Sequence, residues 1–316
     1  MKEIEWEELT ACPICESDQL QNFLVSIVTL ERPVVKWVMC KECSSLFANP
    51  RPTEAYLEDF YKEDYRDLVH RKRKKDDDGP PPSVKDEAIR SIHTVHQLKR
   101  YVGYERKNLS HLDVGSSTGA LMAGVLGTMD VSYSVGVEPN NETREFSEGA
   151  YEKYASMKAE LKESHKWLTV TDISGVARSP KFDIVTLIHT LEHTRDPLGL
   201  LSDIKSRIKA KGALVVTTPS LFLGMPDPLM FPHLFCFTRE TLTGLLERAG
   251  FTVTFFETGS TSAPQWLTPH DMTAIAELNP APMDKSRLLE LYANNQILTK
   301  EIVNAVRNQV PKYEIC

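Results

Sequence analysis

From about residue 85 onward, short apolar segments alternate with longer helical patterns, and this alternation restricts the possible folds most strongly. Strands that alternate with helices along a chain typically form a parallel sheet with helices on its faces. The chain has 316 residues, of which 41% are apolar, so it can bury one large core and support a smaller unit beside it. We therefore predict a doubly wound α/β domain over residues 85–280.

The turn after the first predicted strand is the main indication of a cofactor. The strand Leu109–Val114 runs into Gly115, Ser117 and Gly119, and an apolar helix begins near residue 120. Glycines allow a tight turn in which the backbone approaches a ligand closely. A second strand ends at Glu138, about 20 residues later, where a carboxylate can accept hydrogen bonds from ribose hydroxyls. Nicotinamide enzymes share this pattern, so it predicts a nucleotide cofactor without choosing the class.

The segments that follow the next two predicted strands distinguish between the possible classes of cofactor. Trp167–Val170 is followed by Asp172 and Ile173, and Phe182–Leu187 is followed by Ile188 and a segment rich in histidine. With the glycine turn and Glu138, this ordered set resembles the motif series of class I S-adenosylmethionine-dependent methyltransferases over most of residues 105–260. The resemblance implies a Rossmann-like sheet of seven strands, the last of them antiparallel.

The same resemblance implies a set of cofactor-binding residues. The glycines would flank the methionine portion of S-adenosylmethionine. Asp113 would orient its amino-acid end, Glu138 would hold the ribose hydroxyls, and Asp172 with Ile173 would meet the adenine. These residues are Asp113, Gly115, Ser117, Gly119, Glu138, Asp172, Ile173 and Ile188. Ser117 stands where the family usually has glycine. An alternative for the three acids is that each caps a helix after its strand.

Four residues are candidates for the transfer step, on the expectation that they lie at the reactive end of the cofactor. These are His189, Glu192, His193 and His233. Either His189 or His193 can take a proton from a hydroxyl or an activated carbon, because imidazole titrates near neutral pH. An alternative is that Glu192 and His193 bind a divalent ion, as in some related O-methyltransferases. A third is that the histidines only support local packing.

Four of the six cysteines form two close pairs near the N-terminus, Cys12 with Cys15 and Cys40 with Cys43. A two-residue spacer lets both thiolates of a pair face one ion, and two pairs complete a tetrahedral zinc site. Strands are predicted between the pairs, over residues 23–29 and 34–39. We predict a zinc ribbon over residues 1–50 with a structural Zn²⁺, since four protein ligands leave no open position. The alternative is that the cysteines form two disulfides or remain as thiols without a metal.

Two segments remain outside these units. Residues 51–84 are predicted to connect them, with tyrosines spaced for helical packing and a loop over 71–82 that mixes basic residues, aspartates and prolines. Residues 281–316 are predicted to form a C-terminal helix, over 285–306, and a tail, and the helix suits packing or contact in a homodimer. Before that segment, a helix is expected over 197–210, a turn at Lys211 and Gly212, and a strand over 213–217.

Charge and hydropathy argue against several classes of partner. The net charge is −7 and the isoelectric point is about 5.8, which disfavours binding of nucleic acid or membrane by bulk positive charge. No apolar stretch approaches the roughly 20 residues that cross a bilayer, and the acidic N-terminus does not resemble a signal peptide. We expect a cytoplasmic protein.

The order of the units suggests the acceptor. A zinc module followed by a proline segment, tyrosines and a methyltransferase domain resembles bacterial enzymes that methylate sugars in polysaccharide or antibiotic pathways. This resemblance implies a role in carbohydrate biosynthesis and O-methylation of a sugar or another small hydroxyl compound. Alternatives are C-methylation of a nucleotide-linked keto sugar, an RNA-binding methyltransferase, a nicotinamide-dependent oxidoreductase and a scaffold that binds cofactor without catalysis.

Overall fold

The computed structural model describes residues 3–25, 33–65, 82–103, 105–157, 164–221, 229–259 and 271–279. The chain begins with five short strands, which are β1 Trp6–Glu7, β2 Leu20–Val25, β3 Lys36–Cys40, β4 Leu46–Ala48 and β5 Arg51–Pro52. Strands β2, β3 and β4 pair antiparallel in that order, and β1 pairs antiparallel with β5. The predicted first strand of the ribbon therefore begins three residues earlier than expected, and its residues 26–29 lie outside the described part of the chain.

Helices connect this N-terminal unit to the rest of the chain. Helix α1 covers Glu54–Asp59 and begins at Thr53, whose side chain accepts a hydrogen bond from the Tyr56 N–H. A π-helix follows over Phe60–Asp64, and helix α2 covers Pro82–Val102. Most of the predicted loop over 71–82 lies outside the described residues.

A seven-stranded sheet forms the centre of the larger domain. Its strands are β6 Leu109–Val114, β7 Val131–Val137, β8 Lys166–Val170, β9 Phe182–Ile188, β10 Ile208–Pro219, β12 Phe251–Thr258 and β13 Asp271–Leu278. Helices α3 Ala120–Thr128, α4 Asn141–Met157, α5 Pro197–Arg207 and α6 Arg239–Arg248 connect them. The spatial order is β12-β13-β10-β9-β6-β7-β8, and β13 alone runs antiparallel to its neighbours. The predicted Rossmann-like fold with an antiparallel last strand is confirmed.

One predicted boundary is wrong. The helix expected over 197–210 ends at Arg207, and strand β10 begins at Ile208, so Lys211 and Gly212 lie within the strand and form no separate turn. Ile208 is fully buried and pairs with Phe182, and the register then shifts before Ala213. Burial of this apolar side chain against the sheet draws the backbone out of the helix, and a bulge absorbs the extra residues.

The N-terminal unit shares both its sheet and its core with the larger domain. Strand β11, Phe235–Cys236, belongs to the later part of the chain but pairs antiparallel with β4. The Trp37 indole N–H donates to the Leu229 carbonyl at 3.0 Å, and the Arg51 guanidinium donates to the Arg195 carbonyl at 2.8 Å. One buried cluster of apolar side chains runs from the N-terminal sheet to the central sheet.

The C-terminal helix and tail predicted over 281–316 lie outside the described residues. Among the helices that are described, none combines the length and apolarity required to cross a bilayer.

Candidate active site

A cavity of about 460 Å³ opens at the carboxyl ends of β6, β7, β8 and β9. Ligands of open parallel sheets bind in this crevice, because the loops after neighbouring strands meet there. Seven of the eight predicted cofactor residues line it, and these are Asp113, Gly115, Ser117, Glu138, Asp172, Ile173 and Ile188. The eighth, Gly119, lies behind the turn and lines a separate apolar groove.

The backbone conformation of the glycine turn and the atoms packed against it require glycine at positions 115 and 119. Gly115 has φ +80°, and a Cβ atom there would lie 2.2 Å from Oγ1 of Thr190. Gly119 has φ +77° and begins α3, and a Cβ atom there would lie 2.3 Å from Oγ of Ser147. Ser117 also has a positive φ, +44°, although it is not glycine. The turn therefore keeps the left-handed backbone despite the serine.

Asp113 is a buried carboxyl group and Glu138 a half-buried one, and both face the same cavity. Glu138 accepts hydrogen bonds from the N–H groups of Ser117 at 3.1 Å and Asn140 at 2.9 Å. Asp113 accepts one from the Thr186 hydroxyl at 2.6 Å. Burial raises the pKa of each to about 7, more than these hydrogen bonds lower it. Both groups thus change charge near neutral pH.

Asp172 differs from these two acids because it is largely exposed and already has a structural task. Its carboxylate accepts the Ser174 N–H at 2.8 Å and thereby caps the short 3₁₀ turn Ile173–Gly175. The hydrogen bond from the Ser174 side chain is the main cause that lowers the pKa of Asp172. One carboxylate oxygen of Asp172 therefore caps the turn, as in the alternative interpretation of the three acids, and the residue also lines the cavity.

His189 is an imidazolium held between two acids. It follows β9 with φ +51°, and its Nε2 lies 3.2 Å from Oδ2 of Asp271 while its Nδ1 lies 3.3 Å from Oε1 of Glu192. Burial would lower the pKa of His189, but Asp271 and then Glu192 outweigh it and raise the pKa to about 10. The group therefore has no free lone pair for a proton at neutral pH.

His193 is in the opposite state. Burial, reinforced by the neighbouring His233, lowers the pKa of His193 to about 3, so the ring is neutral. Its ring centroid lies 4.7 Å from that of His233, and His193 lines the cavity while Glu192 and His233 lie behind it. One ligand atom from each of Glu192, His193 and His233 falls within 4.8 Å of the others, so these three could hold a metal ion.

Aromatic side chains from the connecting segment complete the wall beside His193. The rings of Tyr61 and Tyr65 lie 6.1 and 6.3 Å from the His193 ring, and both tyrosines line the cavity. The Tyr61 hydroxyl is buried and has no hydrogen-bond partner among the described residues. Burial is the main cause that raises its pKa well above the usual value, so the hydroxyl keeps its proton.

Two acids at the site were missed by the sequence analysis. Glu87, on α2, accepts hydrogen bonds from the hydroxyls of Ser117 at 3.1 Å and Thr118 at 2.5 Å. Asp271, at the start of β13, pairs with His189. Neither belongs to a recognisable motif, and a single acid on a polar helix or at a strand end carries no signal of its own.

The four N-terminal cysteines form a second site. Their sulfur atoms all lie within 4.8 Å of one another, with Cys12 and Cys43 at 3.6 Å and Cys15 and Cys40 at 3.5 Å. All four are free thiols rather than disulfides. A Zn–S bond of about 2.3 Å places tetrahedral sulfurs about 3.8 Å apart, so the arrangement fits a zinc ion.

The sheet order, the antiparallel β13 and the crevice beyond the glycine turn define an S-adenosylmethionine-dependent methyltransferase. The predicted enzyme class is thereby confirmed. More specifically, the chain belongs to the methyltransferase domain family, which matches residues 61–254. No curated protein sequence matches it.

Solved structures share the fold at low sequence identity. One is the 1,6-didemethyltoxoflavin-N1-methyltransferase of Burkholderia thailandensis, with its substrate and S-adenosylhomocysteine bound; it is 16% identical, with a TM-score of 0.53 over 81% of this chain and 99% of its own. Another is the magnesium protoporphyrin IX methyltransferase of Synechocystis PCC 6803 with bound S-adenosylhomocysteine; it is 15% identical, with a TM-score of 0.50 over 72% of this chain and all of its own. At these identities the likeness concerns the fold.

Proposed function

We propose that the chain binds S-adenosylmethionine in the 460 Å³ cavity and transfers its methyl group to a hydroxyl of a small sugar-like molecule. In this proposal Glu138 receives the ribose hydroxyls, Asp172 and Ile173 border the adenine, and Gly115 and Asp113 border the methionine portion. Support comes from Glu138, whose two backbone hydrogen bonds orient the carboxylate without using all of its lone pairs. The site residues therefore fit the cofactor chemically.

The observation that carries the proposal is the neutral, half-buried His193 on the cavity wall, beside a buried tyrosine hydroxyl without a partner among the described residues. The hydroxyl of Tyr61 is left without a partner in the described protein, which is costly unless a ligand supplies one. A polar acceptor satisfies it, and the aromatic faces of Tyr61 and Tyr65 suit the apolar side of a sugar ring or a similar metabolite. These features favour a small hydroxyl compound.

His193 is the proton acceptor in this proposal. When bound, S-adenosylmethionine supplies a methyl group on a positively charged sulfur, and transfer breaks the C–S bond, forms a C–O bond and leaves neutral S-adenosylhomocysteine. The hydroxyl oxygen becomes strongly acidic as it gains the methyl group, so even a weak base can take its proton. His193 accepts that proton, and the nearby Glu192 carboxylate stabilises the imidazolium that forms.

A second candidate mechanism uses a divalent ion at Glu192, His193 and His233. It is favoured by their proximity, by the burial of Glu192 and by the neutral state of His193, which a metal requires. In this arrangement the ion would bind the acceptor oxygen and lower the pKa of its hydroxyl. The Glu192 carboxylate is, however, already paired with the charged His189, which favours the mechanism without metal.

We also propose that the four-cysteine site binds a structural Zn²⁺ and that this N-terminal unit, residues 1–50, supports the acceptor side of the active site. Strand β4 of the unit pairs with β11, and His233 lies two residues before β11. The Leu234 N–H also donates to the Glu192 carbonyl at 2.7 Å. A folded zinc unit thus holds the backbone that carries two of the candidate residues.

Methyl transfer from labelled S-adenosylmethionine to a panel of acceptors tests the proposed reaction. The panel contains sugars with free hydroxyls, nucleotide-linked keto sugars and RNA, and each reaction is run with a chelator and without it. We expect chelator-resistant transfer to a hydroxyl compound. Transfer only to a keto sugar, with the label on carbon, or only to RNA would overturn the choice of acceptor, and complete loss with chelator would favour the metal mechanism.

A further inference from the structure

Glu87 connects α2 to the glycine turn. Its two carboxylate oxygens accept hydrogen bonds from the hydroxyls of Ser117 and Thr118, one oxygen each. The Ser117 N–H donates instead to Glu138. The turn thus donates hydrogen bonds to two carboxylates, and both line the same cavity.

This contact also explains the serine in the turn. A side chain at the positive φ of Ser117 costs free energy that glycine would avoid. The hydrogen bond from the serine hydroxyl to Glu87 offsets part of this cost and, with Thr118, fixes the Glu87 carboxylate at the cavity wall. Ser117 and Glu87 therefore work as a pair.

The charge of the cavity indicates what this carboxylate binds. Glu87, Asp113 and Glu138 all face the cavity, and among its described lining residues there is no lysine or arginine. The charged His189 is already paired with Glu192 and Asp271. The negative charges of Glu87 and Glu138 help to raise the pKa of Asp113, so ionisation of all three carboxyl groups together is unfavourable. A cationic ligand would relieve this repulsion.

We propose that Glu87 binds the ammonium group of the cofactor's methionine portion. The inference rests on the cofactor site proposed above, in which the glycine turn borders that portion. An ammonium group is the strong hydrogen-bond donor that a fixed carboxylate prefers, and such charge-assisted bonds are stronger than neutral ones. Glu87 is thus a binding residue that selects a nucleoside with an amino-acid end.

Calorimetric titration of wild type and Glu87→Gln with two ligands tests this role. S-adenosylhomocysteine has the ammonium group, whereas 5′-methylthioadenosine has the same nucleoside without the amino-acid end. Glutamine can accept one of these bonds through its carbonyl oxygen and donate an N–H to the other hydroxyl, so this change removes the charge and keeps both contacts with the turn. We expect affinity for S-adenosylhomocysteine to fall at least about tenfold and affinity for methylthioadenosine to stay within about twofold.

Ser117→Gly is the matched control, because it removes one of the two hydroxyl bonds to Glu87 but keeps the charge of the carboxylate, to which Thr118 still donates. We expect it to change the affinities for both ligands by the same factor. Unchanged binding of S-adenosylhomocysteine by folded Glu87→Gln, or an equal loss for both ligands, would overturn the role of Glu87. A wild-type chain that binds neither ligand would overturn the proposed cofactor site and this inference with it.

Discussion

The Nδ1 atom of His189 lies 3.3 Å from Oε1 of Glu192, and this ion pair, together with Asp271, keeps the His189 ring charged while burial keeps the neighbouring His193 neutral. His189 keeps its proton, with a pKa of about 10, while His193 is neutral, with a pKa of about 3. From the sequence either histidine could be the base. The structure favours His193, because only a neutral imidazole can accept a proton.

Replacement of His193 by alanine should lower kcat by about 100-fold, as expected when a general base is removed. Affinity for S-adenosylhomocysteine should change by less than about threefold, since the ring lies on the acceptor side. Single-turnover kinetics and calorimetry measure the two quantities. His96→Ala, which removes an exposed histidine of α2, is the control and should leave both unchanged. Equal losses of turnover and cofactor affinity in His193→Ala would instead indicate a structural role.

Cofactor affinity should depend on pH because Glu138 and Asp113 both have a raised pKa of about 7. Below pH 7 these groups are protonated, and binding must displace their protons before the carboxylates can accept hydrogen bonds. Affinity for S-adenosylhomocysteine should therefore rise as pH increases from 6 to 8, by up to about tenfold per unit for each group below its pKa. Glu138→Gln should bind more weakly and with a flatter pH profile. A wild-type profile that is flat, or that falls with pH, would contradict this assignment.

Loss of one zinc ligand should impair catalysis more than cofactor binding. Cys40→Ser breaks the four-cysteine cluster, so zinc content should fall and the melting temperature should drop by about 5 °C or more. Because β4 supports β11 and the adjacent His233, kcat should fall while affinity for S-adenosylhomocysteine changes little. Cys316→Ser is the control for loss of a thiol outside the cluster. Full zinc content and an unchanged melting temperature in Cys40→Ser would exclude the proposed metal site.

The glycine turn should not tolerate a side chain at position 115. In Gly115→Ala, the new Cβ atom would meet Oγ1 of Thr190 at 2.2 Å, and φ +80° would itself cost about 1–2 kcal/mol. The free energy of unfolding and the cofactor affinity should both decrease. Gly127→Ala, in α3, has no atom within 4 Å of its Cβ and should raise stability by about 0.5–1 kcal/mol. If both variants behaved alike, the close approach of Thr190 would have no energetic consequence.

Much of the fold could be predicted because each strand and turn carries a local signal. The short segments that end at the glycine turn and at the histidine-rich segment predict β6 and β9, which are almost entirely buried, and the glycine turn marks the start of α3. The end of α5 could not be predicted, because it depends on the pairing of Ile208 with Phe182, a tertiary contact. Local propensity contains no information about such a partner.

The same distinction applies to the site. Gly115 and Glu138 belong to a motif with fixed spacing, so the sequence predicts both, and both line the cavity. Glu87 lies 30 residues before Ser117, and Asp271 lies 82 residues after His189. Only the folded chain brings Glu87 to the cavity and Asp271 to His189. The protonation states of the histidines likewise depend on burial and on neighbours that are distant in sequence.

The most direct test of the account is calorimetric titration of the wild-type protein with S-adenosylhomocysteine, with NADH titrated in parallel. The cavity beside Glu138 predicts micromolar binding of S-adenosylhomocysteine and no binding of NADH. Binding of NADH alone would contradict the methyltransferase function, and binding of neither would contradict the proposed cofactor site.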